Sequence, residues 1–190
     1  MKDTKGKPSE KERALFAAAV VFTYGIWENY VEQLSIELAE KVSKDISPER
    51  VPEKIRKLLE KCTPWELTVF PGWRSLWVQK VRQQAIGENI ENYGLNTAKA
   101  GPVKRLLELA GVGDAFEGLG SGIVPEHLTT TTKEPSCAID RLVELRGEIV
   151  HTGKVPDTLR KPHVREWRQF IESISSAMDK TTRQQCATLL

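Results

Sequence analysis

The sequence carries almost no excess of charge: 28 basic against 26 acidic residues leave a formal net of +2. No global field draws such a chain toward nucleic acid, so any nucleic-acid site has to be a local patch. Cysteine is scarce. Cys62, Cys137 and Cys186 are odd in number and irregular in spacing, which argues against a disulfide framework and for a reducing compartment. None stands at zinc spacing from another, and His127, His151 and His163 do not complete a ligand set with them, so neither metal nor cofactor is expected. Long hydrophobic runs are missing as well. The longest, Ala14 to Thr23, covers about ten residues, where a membrane span needs roughly twenty. The charged segment Met1 to Arg13 does not read as a signal peptide. A cytoplasmic location with no membrane partner is the resulting expectation. Phosphate loops, dinucleotide fingerprints and nucleophile elbows do not occur.

What the sequence does hold is helical periodicity. Its 190 residues suit one domain with a hydrophobic core. Residues 1–10 read as a disordered leader, 11–178 as a helical domain and 179–190 as a flexible tail. Ser9 and Glu12 form a candidate capping box that opens a helix to about Lys44. Two apolar stripes run along it. One holds Leu15, Ala18, Ala19, Phe22, Ile26 and Tyr30; the other holds Phe16, Val20, Tyr24, Trp27, Val31, Leu34 and Leu38. Together they predict a broad buried face and a central position. Ser47-Pro48 opens a second helix to about Lys61, and Pro64 and Pro71-Gly72 read as breaks. Helices are expected over Trp73 to Asn92 and Pro102 to Leu109, and a mobile loop over Gly120 to Lys133. Pro135 to His151 is the next helix, with Gly153 placed as its C-cap glycine, and Val164 to Met178 is the last. No strand pattern competes. The fold class is all-α: a bundle of four main helices plus short ones.

The helix Pro135 to His151 carries the candidate chemistry. On a helical wheel Arg146 falls in the middle of the apolar arc of Ile139, Leu142, Val143, Ile149 and Val150. An arginine so placed has to snorkel, pair with an acid or line a cleft. His151 follows in the last turn, where the helix dipole favours imidazolium. It lies about 140° around the wheel from Arg146. Gly147 and Glu144 lie on its side. Gly147 costs helix stability by about 1 kcal/mol relative to alanine and leaves open space beside the imidazole. These residue types suit one reaction: attack of an RNA 2′-hydroxyl on the adjacent phosphate. Histidine moves the protons, and arginine binds the phosphorane oxygens bidentately. Two chains meeting through this helix in a twofold dimer would supply two of each.

The segment Leu142–Gly153, LVELRGEIVHTG, resembles the signature of the HEPN superfamily: an arginine, usually a polar residue, then a histidine after four to six intervening residues. The long first helix (FTYGIWENYVEQL, with Glu28) and the middle section GLNTAKAGPVKRLLELAGV resemble HEPN domains of the RiboL-PSP type. The resemblance implies a helical bundle, a homodimer that joins two signatures, and a metal-independent endoribonuclease with Arg146 and His151 as its catalytic pair. It further implies service as a toxin or phage-defence effector, with an antitoxin or other regulatory protein as a partner. Glu28 is either the acid that answers Arg146 or a surface carboxylate. The alternative is a non-catalytic HEPN module that dimerises or binds a nucleotide or partner. Two positions depart from the pattern. Gly147 stands where asparagine or aspartate is common, which removes a side chain that helps position phosphate. Gly153 stands where some relatives have a tyrosine that a nucleotidyltransferase modifies, so control by that route is not expected.

Other clusters admit two readings. Lys154, Arg160, Lys161, Arg165 and Arg168, with His163, form either an RNA-binding rim or a solvated helix face. Trp65, Trp73 and Trp77, with Phe70, serve either base stacking or, as preferred, packing.

Overall fold

The Ser9 hydroxyl accepts the Glu12 amide at 3.3 Å while the Glu12 carboxylate accepts the Ser9 amide at 2.9 Å, the expected capping box. Each such cap contributes about 1 kcal/mol. From it helix α1 runs over Glu10–Asp45. The computed structural model describes residues 8–61, 63–87 and 94–190. Leader residues 1–7, Cys62 and the segment 88–92 of the third expected helix lie outside the described residues. Among the described residues the chain is all-helical, with α2 over Glu53–Leu58, α3 over Pro64–Val69, α4 over Trp73–Ile86, α5 over Ala100–Leu109, α6 over Pro135–Thr152 and α7 over Lys161–Leu189. Four of these are long and three short, a helical bundle of the class the periodicity predicts.

Helix α1 is the axis of the bundle, and α4, α5, α6 and α7 pack on it. Its stripe Phe16, Val20, Tyr24, Trp27, Val31, Leu34 and Leu38 is buried. Directions follow from contacts along its length. Arg13 bonds Val155, Tyr30 bonds Ser175 and Asp179, and Arg50 bonds Thr188 and Leu190, so α7 runs parallel to α1. Arg146 meets Tyr24 while the segment after α6 meets Arg13, so α6 runs antiparallel to α1. The end of α6 and the start of α7 therefore share one end of the bundle with the start of α1. Two indoles pin α5: Trp27 Nε1 donates to the Ala98 carbonyl at 2.8 Å and Trp77 Nε1 to the Leu109 carbonyl at 2.7 Å.

Several expectations need correction. The stripe Leu15, Phe22 and Ile26 is not part of the core; these side chains are 62%, 71% and 48% exposed. Periodicity marks a residue as apolar and on a face, but not whether its own chain covers that face. The second expected helix is interrupted by Pro52, leaving a 3-10 turn at Pro48–Arg50 and then α2. Pro64 starts a helix instead of breaking one, because Thr63 caps it and Glu66 completes the box. Two 3-10 turns, Ser121–Ile123 and Glu126–Leu128, occupy the segment expected to be a mobile loop. The last helix begins at Lys161 and not at Val164, with Pro162 in its first turn. The segment 179–190, expected to be a flexible tail, is helical to Leu189 and buries Thr182 and Cys186 against the bundle.

Helix α1 is also long and apolar enough, by length and composition, to cross a membrane, although a third of its most apolar stretch is buried within the fold. It is also the element on which α4, α5, α6 and α7 pack.

Candidate functional site

Helix α6 ends where the sequence says it should: Gly153 takes the left-handed conformation, with φ of 67°, and its amide bonds the Ile149 carbonyl. That cap fixes His151 in the final turn. Ala138, Ile139, Leu142 and Ile149 bury the inner face of the helix. Arg146 lies at the edge of that face, half-buried in the seam between α6 and α1. Its guanidinium carbon stands 5.0 Å from the centroid of the Tyr24 ring, within cation–π range. Its Nε is buried without a hydrogen-bond partner.

No carboxylate pairs with Arg146 among the described residues. Glu28, the acid considered for that role, is half-buried nearby and instead accepts the Tyr24 hydroxyl at 2.7 Å. The same hydroxyl accepts the Ala98 amide at 3.3 Å. Burial and the bond to Glu28 push the Tyr24 phenol up to about 12, so it stays protonated as a donor. Glu32 lies one turn beyond Glu28. Burial, with the charge of Glu28 next, pushes its carboxyl up. Periodicity assigns Tyr24 to the core stripe and gives Glu32 no role; the four-residue spacing of Tyr24, Glu28 and Glu32 is the sequence signal for this cluster.

His151 is exposed on the outer side of α6. Within one chain it and Arg146 do not share a face; five residues separate them by about 140° and about 7.5 Å of rise. A side chain at Gly147 would meet nothing within 4 Å. Glu144 is exposed and engaged elsewhere, accepting from Arg141 at 2.9 Å with Lys99 at 3.6 Å.

The basic residues divide. Lys154 and Arg165 are exposed, and their side chains have no partner among the described residues. Arg160 turns its guanidinium onto the carbonyls of Asp157 and Leu159. Lys161 is half-buried in the first turn of α7. Arg168 pairs with Glu172 at 3.4 Å. His163 is stacked on His127 with ring centroids 4.5 Å apart, so it belongs to a packed corner and not to an open rim. Trp73 and Trp77 are buried, as packing requires, whereas Trp65 is 71% exposed.

A second polar cluster joins the loop before α6 to α7. The carboxylate of Glu166 on α7 accepts both the backbone amide of His127, at 3.0 Å, and its ring Nδ1, at 2.6 Å. Burial raises the Glu166 carboxyl, but the bonds from His127 outweigh it and the net shift is downward. Burial, and then the neighbouring His127, hold His163 below the ordinary histidine value. Trp167 meets the His127 ring edge-on at 5.3 Å. Nothing in the sequence couples His127 to a residue on α7. Among the described residues no group of three or more histidine, cysteine, aspartate or glutamate side chains is placed to hold a metal ion.

No family model matches this chain, and no curated protein or solved structure matches it either.

Proposed function

We propose that this chain is a HEPN-type domain that cleaves RNA as a homodimer, without a metal, using Arg146 and His151. The observation that carries the reading is Arg146 itself. A guanidinium set in an apolar seam, facing an aromatic ring instead of a carboxylate, keeps its full charge for an anionic ligand. His151, exposed at the capped end of the same helix, supplies proton transfer.

In this reading one His151 accepts the proton of the 2′-hydroxyl as its oxygen attacks phosphorus. The bond from phosphorus to the 5′-oxygen breaks, and the His151 of a second copy returns a proton to that leaving oxygen. The products are a 2′,3′-cyclic phosphate and a 5′-hydroxyl. Arg146 stabilises the charge that builds on the phosphorane oxygens. The exposed Lys154 and Arg165 suit the flanking phosphates.

A second copy is also what the outer face of α1 suits. Leu15, Phe22 and Ile26 project within about 40° of one another, and Val150 on α6 is 47% exposed. An apolar face of that kind meets its own copy across a twofold axis. Placing charge there with Phe22→Glu is expected to shift the protein to monomer in sedimentation and to abolish cleavage. A toxin or phage-defence role, an antitoxin-like regulator and a cytoplasmic location belong to the same proposal.

The deciding experiment compares cleavage of a mixed RNA, with chelator present, by wild type, Arg146→Ala and His151→Ala. Each variant is expected to lose about a hundredfold or more. Equal activity in all three sinks the site. The divergence of Arg146 and His151 within one chain favours a second reading, a module that binds a nucleotide or partner without cleaving. Binding of RNA by the wild type with no cyclic-phosphate product would select it.

A further inference from the structure

Resting on that reading, we infer that Tyr24 is the positioning residue of the Arg146 site, and that its hydroxyl keeps Glu28 from pairing with Arg146. Tyr24 is only 4% exposed, so its ring has no room to swing outward. Its hydroxyl end is held from two sides, by Glu28 Oε1 at 2.7 Å and the Ala98 amide at 3.3 Å. Ala98 is itself held, since its carbonyl accepts Trp27 Nε1 at 2.8 Å. The ring is therefore a fixed plate, and Arg146 lies against its face at 5.0 Å.

The choice of an aromatic partner has a chemical consequence. A carboxylate would hold Arg146 by taking up its N–H donors and cancelling its charge. A ring face holds the cation through its quadrupole and takes none of the donors. The terminal nitrogens are then left for phosphate oxygens. The hazard is the acid next door. Glu28 sits one turn from Tyr24 on the same helix, and a guanidinium is its natural partner. The Tyr24 hydroxyl gives that carboxylate a different donor. Tyr24 thus does two separable things: its ring orients Arg146, and its hydroxyl occupies Glu28.

The two roles make different predictions for two substitutions. Tyr24→Leu removes both ring and hydroxyl. Tyr24→Phe keeps the ring and frees Glu28. The measurement is steady-state cleavage of an RNA oligonucleotide, together with binding of its uncleavable 2′-O-methyl analogue, in variants whose melting curves show them folded. Tyr24→Leu should lower kcat/KM by roughly 3- to 30-fold, the range a cation–π contact covers. Tyr24→Phe should raise KM and weaken analogue binding by a similar factor, with kcat little changed. The second substitution Glu28→Gln should restore Tyr24→Phe to within about threefold of wild type and should not restore Tyr24→Leu. A purely structural role for Tyr24 predicts no such selective rescue.

Failure of this inference and failure of the parent reading look different. If wild type cleaves, Arg146→Ala does not, and Tyr24→Leu matches wild type, the positioning role is overturned and the ribonuclease stands. If Tyr24→Phe is impaired and Glu28→Gln fails to rescue it, the role assigned to the hydroxyl is overturned. If wild type cleaves nothing, the ribonuclease reading fails, and the Arg146 Nε–H resonance decides the placement. It should be shifted upfield by the ring in wild type and Tyr24→Phe and return to its ordinary position in Tyr24→Leu; an unchanged resonance in Tyr24→Leu overturns the inference.

Discussion

The Arg146 seam and the His127 corner each set a basic side chain against an aromatic one, and they treat charge in opposite ways. At the corner the acid is in contact: Glu166 takes both donors of His127, and Trp167 closes the edge of the ring. In the seam the acid is held back: Glu28 bonds the Tyr24 hydroxyl, and Arg146 is left with a ring and an unsatisfied Nε. A satisfied pair anchors structure; in the proposed reading, a cation with no acid partner is left for a ligand. The difference teaches that the neighbour count of a buried basic group says little until its partners are identified.

Substitutions at the two places should separate activity from stability. The largest effect is expected from Arg146→Met, which keeps an apolar stem in the seam. RNA cleavage should fall by about a hundredfold or more, while urea denaturation shows stability within about 1 kcal/mol of wild type, since an orphaned donor is removed along with the cation. A large loss of stability would place the seam in the same class as the corner. The corner should answer the other way. Glu166→Ala leaves two donors of His127 without an acceptor, and the urea midpoint should fall by the equivalent of about 1.5–3 kcal/mol, with cleavage per folded molecule unchanged.

The smallest effect is one of pH at the corner. His163 is held below its ordinary value, so the folded protein binds fewer protons there than the unfolded chain. Its contribution to stability is complete above the unfolded histidine range, near pH 6.5, and is lost as pH falls below it. The groups that face it are His127, Glu166 and Arg160. Urea midpoints at pH 7.5 and 5.5 should differ for this reason, and His163→Phe, which preserves the stacked ring, should narrow the gap. A gap of the same size in the variant would assign the pH dependence to other groups.

How much of this was legible in the sequence depends on how local the cause is. Helix α6 could be read closely, because Pro135 and Gly153 act on their own turns. The same locality gave the Ser9 cap. Arg146 stood out because a cation in an apolar arc breaks the pattern around it. Helix α3 was missed because Pro64 has two meanings, and only the Thr63–Glu66 box before and after it selects the first-turn one. The outer stripe of α1 was misplaced because hydrophobic spacing does not name the surface that covers it. Tyr24 was filed with the core, where its ring belongs, because a hydroxyl's partners are set by tertiary placement. His127 and Glu166 come from a loop and a helix 39 residues apart, and no spacing rule reaches that far.

The vacant space around Gly147 makes that position an attachment point. The Cβ of Gly147→Cys, the root of a nitroxide label, would meet no atom within 4 Å in its own chain, and part of the helix propensity lost at glycine would be regained. In the proposed dimer, two such labels would turn the distance between the two copies of α6 into a magnetic coupling, readable without substrate and in frozen solution.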